Sequence, residues 1–196
     1  MTAPPVTGVV LAAGSSRRLG TPKQVLPYRD TTLLGATLEV ARSVGFDQLI
    51  VTLGGAAPAV RDAVRLDGAD VISVDEPATG CSASLRAALD RVDRRAAGIV
   101  LMLGDQPCVE PATVRRMIQH GRAAPAGIMV CRYDDGIGHP FWLGRSVFGD
   151  LRQLHGDKGV WKLVESGRHP VRELEVAGPV PLDVDTWDDY RRLVES

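Results

Sequence analysis

The fold class follows from one stretch near the N-terminus, residues 9–23, which reads Val9-Val10-Leu11-Ala12-Ala13-Gly14-Ser15-Ser16-Arg17-Arg18-Leu19-Gly20-Thr21-Pro22-Lys23. Its first three residues are apolar, and a continuous apolar run bounded by a turn predicts a strand that is buried on both faces. Small residues follow, and then two arginines and a lysine. A buried strand therefore leads directly into a cationic loop.

This loop suits a polyphosphate ligand. Ala13 and Gly14 have almost no side chain, so a ligand can approach the backbone and its N–H groups closely. Arg18 and Lys23 add hydrogen-bond donors and positive charge for phosphate oxygens. A polar turn with solvated basic residues is the alternative interpretation of the stretch taken alone.

Two commoner glycine-rich loops are excluded. The P-loop has a lysine directly after its last glycine, whereas Thr21 follows Gly20. The dinucleotide-binding fingerprint requires glycine at the positions where Ser16 and Leu19 stand. The loop belongs to neither class.

Composition restricts the class of protein further. A chain of 196 residues is expected to form a single domain, residues 1–196, with a substantial core. The net charge of −1 argues against a nucleic-acid partner. The N-terminus has no basic segment followed by an apolar one, and no apolar run reaches membrane-spanning length, so no membrane partner is expected. Three widely separated cysteines predict a reduced, cytoplasmic setting.

Hydrophobic periodicity predicts an α/β chain in which strands alternate with helices. This alternation favours a mostly parallel sheet that is covered by helices on both sides. Strands are predicted at 9–11, 48–53, 70–74 and 98–103, with helices at 32–44, 58–66, 81–92 and 111–121. Short strands at 127–131 and 141–143 form a small antiparallel insertion, followed by helices at 146–154 and 159–164, an edge strand at 169–176 and a last helix at 186–194.

Two acidic positions are candidate metal ligands. Asp105 follows the most apolar strand, so it should lie at the carboxyl end of the sheet, where open α/β sheets bind ligands. Asp185 or Asp183 supplies a second carboxylate near the C-terminus, and we favour Asp185. Two carboxylates facing a phosphate-binding loop indicate Mg²⁺, which takes carboxylate, phosphate and water oxygens. Helix capping is the alternative for each aspartate.

Three weaker motifs complete the candidate site. The segment 80–85 opens a helix with small hydroxyl residues and free N–H groups, which suit a ribose or a base edge, although ordinary capping by Ser82 explains them almost as well. The Gly-His-Pro segment 138–140 lies on the irregular hairpin, and the segment 156–159 is a charged turn bounded by glycines. Both suit the acceptor side of a transferase pocket. A lone histidine such as His139 is more often a structural residue than a catalyst.

Taken together, the motifs LAAGSSRRLGTPKQVLP, GCSASL, GDQP, GHP, GDKG and DVDTWDDY resemble the molybdenum cofactor nucleotidyltransferases, and most closely the cytidylyltransferases among them. The resemblance runs over essentially the whole chain. It implies a three-layer Rossmann-like nucleotidyltransferase fold. It also implies Mg²⁺-dependent transfer of a nucleotide from an NTP to a molybdopterin-type cofactor, with release of pyrophosphate.

The resemblance assigns roles to residues that match the family motifs. Arg18, Lys23 and Asp105 would be catalytic, and Asp105 and Asp185 would bind Mg²⁺. The nucleotide would contact Leu11, Ala12, Ala13, Gly14, Arg18, Lys23, Gly80, Ser82, Ser84 and Gly104. The acceptor would contact Gly138, His139, Pro140, Asp157 and Lys158.

Two positions bear on the choice of nucleotide. Ala13 stands where the related guanylyltransferases usually have glycine, which favours CTP over GTP. Arg17 stands where the family often has serine, and this added charge leaves open a second phosphate contact. Alternatives are a guanylyltransferase, a transferase for another phosphorylated acceptor, and a non-catalytic chaperone that passes molybdenum cofactor to a recipient molybdoenzyme.

Overall fold

The structure, a computed structural model, describes residues 3–74, 80–156 and 158–195. Within these ranges the chain alternates between strands and helices. The strands are β1 (Val6–Ala12), β2 (Pro27–Tyr28), β3 (Thr31–Thr32), β4 (Gln48–Leu53), β5 (Asp70–Ser73), β6 (Gly98–Leu103), β7 (Ile128–Tyr133), β8 (Gly136–Gly144) and β9 (Val171–Glu175). The helices are α1 (Leu33–Ser43), α2 (Ala57–Ala63), α3 (Cys81–Leu89), α4 (Pro111–Ala123), α5 (Phe148–Leu151), α6 (Gly159–Glu165) and α7 (Trp187–Glu195).

Seven of the described strands form one sheet in the order β5-β4-β1-β6-β8-β7-β9. Pairing is parallel between β1 and each of its neighbours, between β4 and β5, and between β7 and β9. β8 is antiparallel to both β6 and β7. β1 and β6 therefore lie side by side, and their carboxyl ends open on the same edge of the sheet.

Helices cover both faces of this sheet, because the side chains of each strand alternate between the faces. Val10 of β1 belongs to an apolar cluster that includes most of the buried apolar residues of α1 and those of α2 and α4. Val9 and Leu11 belong to the opposite cluster, with the buried residues of α3, α5 and α6. This arrangement confirms the predicted three layers and the mostly parallel sheet with an antiparallel insertion.

A third apolar cluster lies beyond the end of the sheet and gathers segments that are distant in sequence. Leu19 of the cationic loop packs there with Leu26, Leu33 and the fully buried Val184. Leu193 of α7 joins them. The cluster holds the C-terminal segment against the loop that follows β1.

Most predicted elements are confirmed, with shifted ends. Thr32 caps α1 by accepting a hydrogen bond from the backbone N–H of Gly35, and Gly45 ends the helix with a positive φ of 74°. α2 ends at Ala63 rather than at residue 66, and α3 ends at Leu89 rather than at residue 92. The helix predicted over 146–154 is a 3-10 turn followed by a single α-helical turn. β8 extends over nine residues because it pairs with a strand on each side.

Across the described part of the chain, none of the helices combines the length and the apolar character that crossing a bilayer requires.

Candidate active site

A cleft of about 650 Å³ opens at the carboxyl ends of β1 and β6. This volume falls within the range of small-molecule binding sites. Its wall includes the cationic loop after β1, the start of α3 and the C-terminal segment. Among the residues predicted for the site, the cleft is lined by Leu11, Ala12, Ala13, Gly14, Arg18, Lys23, Gly80, Ser84, Gly104, Asp105, Lys158 and Asp185.

Gln24 holds the loop after β1 in place. Its side chain is 3% exposed and donates hydrogen bonds from Nε2 to the carbonyl oxygens of Ala12 (2.8 Å) and Gly14 (3.0 Å). Ser16 adds a second tie, because its Oγ accepts a 2.9 Å hydrogen bond from the backbone N–H of Lys23. These bonds fix the backbone that is proposed to face phosphate.

Close packing of the strand ends explains a glycine at the base of the cleft. A Cβ on Gly104 would lie 2.9 Å from the Cβ of Ala12 and 3.0 Å from Leu34. The backbone after β6 therefore approaches β1 too closely for a side chain. This contact brings Asp105 directly opposite the loop after β1.

The central feature of the cleft is the ammonium group of Lys23. Its Nζ donates a short hydrogen bond to Oδ2 of Asp105 and a 2.9 Å hydrogen bond to Oδ1 of Asp185. Arg18 Nη2 reaches the other oxygen of Asp185 at 2.8 Å. The side chains of Lys23 and Asp105 are only 14% and 13% exposed, so their charges are poorly screened by water. Residues 82 and 162 positions away from Lys23 thus join it in one ionic cluster.

The pKa values of Lys23 and Asp185 follow from burial, charge and hydrogen bonding. Burial alone would lower the pKa of Lys23, but the hydrogen bonds and negative charges of Asp105 and Asp185 outweigh it, and the pKa is raised above its ordinary value. The hydrogen bond from Lys23 lowers the pKa of Asp185, helped by Arg18. At neutral pH Lys23 is therefore charged and Asp185 is ionised.

Asp183 faces the same cleft and differs from Asp185. Partial desolvation, followed by the negative charge of Asp105, raises the pKa of Asp183 to about 6. Its Oδ1 accepts a 2.6 Å hydrogen bond from Nε2 of Gln106, a residue that is 2% exposed. The last helix is capped by other groups, since Thr186 and Asp189 form the reciprocal hydrogen bonds of a capping box. Capping α7 is thus not the role of Asp183.

The start of α3 contributes unequally to the cleft. Gly80, which adopts a positive φ of 81°, lines the wall together with Cys81 and Ser84. The sequence predicts Ser82 at this wall, but Ser82 is buried, and its Oγ donates a 2.5 Å hydrogen bond to the carbonyl oxygen of Gly156. The structure thus gives Ser82 the role of tying α3 to the Gly156 turn rather than a place on the cleft wall.

The two predicted acceptor loops also differ. Lys158 lines the cleft, whereas Asp157 lies outside the described residues. Gly138, His139 and Pro140 are buried within β8 and are not on the wall of this cleft. Gly138 pairs with Cys131 of β7 and lies against Val180 and Tyr133, which accounts for its burial.

His139 packs among aromatic rings. It stacks on Phe141 with a centroid distance of 4.2 Å and meets the edge of Trp161. Burial lowers the pKa of His139 to about 4, so the ring is neutral at physiological pH. Its environment is that of a core residue.

Two residues of the site were not expected from the sequence. Gln24 directly follows Lys23, and Gln106 directly follows Asp105. Both amides are nearly fully buried and donate to oxygens that shape the cleft. The signal in the sequence is a neutral polar residue next to a charged site residue. This pattern is too common in loops to single out Gln24 or Gln106.

The family follows from a comparison of sequences. The family description "MobA-like NTP transferase domain" matches residues 8–172, which include the cationic loop, β6 and Asp105. The chain belongs to this MobA-like family. This confirms the resemblance that the motifs carry, and it makes the cleft part of a nucleotidyltransferase domain.

A solved relative matches this MobA-like protein along its whole length. Rv0371c from Mycobacterium tuberculosis H37Rv is 73% identical in sequence, and the two structures superpose with a TM-score of 0.95. The alignment covers 100% of each chain. A second crystal structure of Rv0371c is a complex with manganese, with 69% identity, a TM-score of 0.89 and coverage of 98% of this chain and 99% of that one.

Curated relatives match the MobA-like protein over shorter segments. Nicotine blue oxidoreductase from Paenarthrobacter nicotinovorans is 34% identical over 59% of this chain. The bifunctional protein GlmU from Burkholderia thailandensis is 32% identical over 67% of it. The aligned segments span 56% and 29% of the lengths of these two relatives.

Proposed function

We propose that this protein transfers a nucleotide, CMP in preference to GMP, from an NTP to the terminal phosphate of a molybdopterin-type cofactor and releases pyrophosphate. One observation carries this proposal: Lys23, Asp105 and Asp185 converge in a cleft that the small residues Ala13 and Gly14 also line. The MobA-like family and the motif resemblance support the reaction class. Ala13, which lines the cleft, supports CTP.

The donor set fits a divalent cation. Asp105 and Asp185 both lie within hydrogen-bond distance of one ammonium group, so the two carboxylates can share one cation. Within the described ranges no group of three or more acidic, histidine or cysteine side chains is arranged to hold a metal. Mg²⁺ suits such a site, because it is commonly bound by one or two carboxylates together with phosphate oxygens and water. The manganese complex of Rv0371c supports a divalent cation in the family.

The chain's own residues would act through charge and position. The acceptor phosphate has a second pKa of about 6, so it is already largely ionised and needs no dedicated base. Bringing it to a triphosphate is opposed by repulsion between anions, which Lys23 and Arg18 would reduce. The loop held by Gln24 would fix the triphosphate for in-line attack on the α-phosphorus. When bound, the divalent cation supplies further charge neutralisation.

We propose a cytoplasmic location for this activity, because the reaction requires a pool of nucleoside triphosphates. The test is to incubate the protein with molybdopterin and Mg²⁺ or Mn²⁺, to add each NTP in turn, and to measure pyrophosphate. We expect release with CTP above that with GTP, and loss of about 100-fold or more in turnover for Asp105→Asn, the size expected for a main electrostatic group. Release of no pyrophosphate with any NTP, despite tight binding of the pterin, would contradict the proposal and favour a chaperone.

The same experiment separates the alternatives. Release with GTP alone would identify a guanylyltransferase. Release only with other phosphorylated compounds, such as a sugar phosphate, would replace the acceptor while keeping the reaction class. Mass spectrometry of the product identifies the acceptor, and addition of a recipient molybdoenzyme tests transfer of the finished cofactor.

A further inference from the structure

Gln106 lies between the two segments that carry the acidic residues of the cleft. Its backbone continues directly from Asp105, and its N–H donates to the carbonyl oxygen of Leu103 at the end of β6. Its side-chain Nε2 donates to the carbonyl oxygen of Pro181 (3.2 Å) and to Oδ1 of Asp183 (2.6 Å). One amide thus connects the end of a central strand to the C-terminal segment.

The orientation of this amide is determined by its neighbours. Both groups that face Nε2 are acceptors, so only the NH₂ group can point towards them. The Oε1 atom is buried and has no hydrogen-bond partner among the described residues. Leaving this one oxygen unsatisfied costs free energy. The opposite orientation of the amide would leave two acceptors on the C-terminal segment without this donor.

The C-terminal segment depends on such ties. Residues 181–185 form neither helix nor strand, so no ladder of backbone hydrogen bonds fixes them. Val184 anchors the segment by burial in the third apolar cluster, whereas Asp183 and Asp185 line the cleft. Burial of Val184 fixes how closely the segment packs against the rest of the protein. The directions in which the carboxylates of Asp183 and Asp185 point depend on the polar contacts of those two residues.

We propose that Gln106 is a positioning residue that fixes the carboxylate of Asp185 opposite Asp105 by holding Asp183, and that Asp183 is an anchor rather than a metal ligand. This inference rests on the proposed function only in taking Asp105 and Asp185 as the cation-binding pair. Removal of the Gln106 donor should therefore lower the affinity for the cation while the protein keeps its fold.

The test measures binding of Mn²⁺ alone by electron paramagnetic resonance and calorimetry, together with thermal unfolding. Gln106→Met keeps the side-chain volume but removes the donor, and we expect its Mn²⁺ affinity to fall by about 10-fold or more, as for other groups that orient metal ligands. Gln119→Met, on the exposed side of α4, is the matched control and should bind as the unmodified protein does. In turnover assays Gln106→Met should raise the KM for the metal more than it lowers kcat.

Substitutions at Asp183 distinguish an anchor from a ligand. Asp183→Asn retains an oxygen that accepts from Gln106, and its Mn²⁺ affinity should stay within about threefold of the unmodified protein, a difference of less than 1 kcal/mol. Asp183→Leu removes the acceptor and should weaken binding as Gln106→Met does. Equal, large losses for Asp183→Asn and Asp183→Leu would overturn the inference.

Exchanging donor and acceptor gives a test that does not depend on Gln106→Met folding well. Gln106→Glu places two acceptors against each other and should weaken Mn²⁺ binding at least as much as Gln106→Met. Adding Asp183→Asn restores a donor and should recover at least fivefold of the loss. No recovery in the double variant would refute a role through Asp183. Failure of the unmodified protein to bind Mn²⁺ would instead refute the proposed cation pair.

Discussion

At the scale of single residues, two kinds of partner compete for the ammonium group of Lys23: the carboxylates of the cleft and the phosphate groups of the proposed substrate. In the structure its ammonium group neutralises Asp105 and Asp185, whereas the proposed reaction requires it to face phosphate oxygens. A divalent cation between these carboxylates would compete with the ammonium group, because both are attracted to the same oxygens. Lys23 therefore links binding of the cation to binding of the nucleotide.

This competition predicts opposite effects on two ligands. In Lys23→Met the carboxylates lose their internal cation, so affinity for Mn²⁺ alone should rise severalfold while affinity for CTP falls by about 10-fold, the worth of one charge-assisted phosphate contact. Calorimetry with each ligand separately measures both. Lys162→Met, on the exposed surface of α6, is the control. A fall in both affinities would show that the carboxylates need Lys23 to keep their geometry.

His139 predicts how stability depends on pH. Its pKa in the folded protein is about 4, below the ordinary value of 6.5, so the folded state binds fewer protons than the unfolded state between these values. The free energy of unfolding should therefore be highest above pH 6.5 and fall by about 3 kcal/mol as the pH drops towards 4. Urea denaturation of His139→Phe between pH 4.5 and 7.5 should lack this component.

The exposed His120 supplies the comparison for that measurement. His120→Asn should retain the full dependence on pH, because the buried His139 that carries it is unchanged in that variant. Identical pH slopes for His139→Phe and the unmodified protein would assign the acid sensitivity to other groups.

At the scale of elements, the start of α7 lies next to Asp185. Oγ1 of Thr186 accepts from the N–H of Asp189, and Oδ2 of Asp189 accepts from the backbone N–H groups of Thr186 and Asp185. The helix cap and the proposed cation-binding residue therefore share hydrogen bonds. The Thr186 hydroxyl, which donates to Oδ2 of Asp189, lowers the pKa of that carboxyl, and the backbone N–H groups of Thr186 and Asp185 contribute.

Removal of this cap should affect stability and cation binding together. Thr186→Ala should cost about 1 kcal/mol in the free energy of unfolding, typical for loss of an N-cap, and should also weaken Mn²⁺ binding. Thr32→Ala, which removes the cap of α1, should cost a similar free energy and leave Mn²⁺ binding unchanged. Equal Mn²⁺ affinities in the two variants would separate the α7 cap from the cation-binding residues.

At the scale of the whole molecule, the cleft joins parts of the chain that are otherwise separate. The loop after β1, the end of β6 and the C-terminal segment meet there, and the apolar cluster of Leu19, Leu33 and Val184 packs behind them. A ligand that binds all three parts should stabilise the folded chain as a unit, because it binds the folded state and not the unfolded one.

This linkage predicts a thermal shift. CTP with Mn²⁺ at 100 times the dissociation constant should add about 2.7 kcal/mol to the free energy of unfolding, or roughly 5–10 °C in Tm for a chain of this size. CTP with EDTA should give a smaller shift. In Asp105→Asn the part that depends on Mn²⁺ should disappear, and an unchanged shift in that variant would remove Asp105 from the cation site.

The sequence by itself determined most of the strands and helices, the cationic loop and the acidic candidates, because these follow from local periodicity and residue chemistry. It also carried the motifs by which the family is recognised. Only the tertiary structure decided that Lys23 joins Asp105 and Asp185, and that Gln24 and Gln106 fix the backbone around them. The same holds for Ser82 and the Gly138–Pro140 segment, which lie away from the cleft wall. These positions depend on strand order and on packing between residues far apart in the chain, and neither leaves a periodic signal in the sequence.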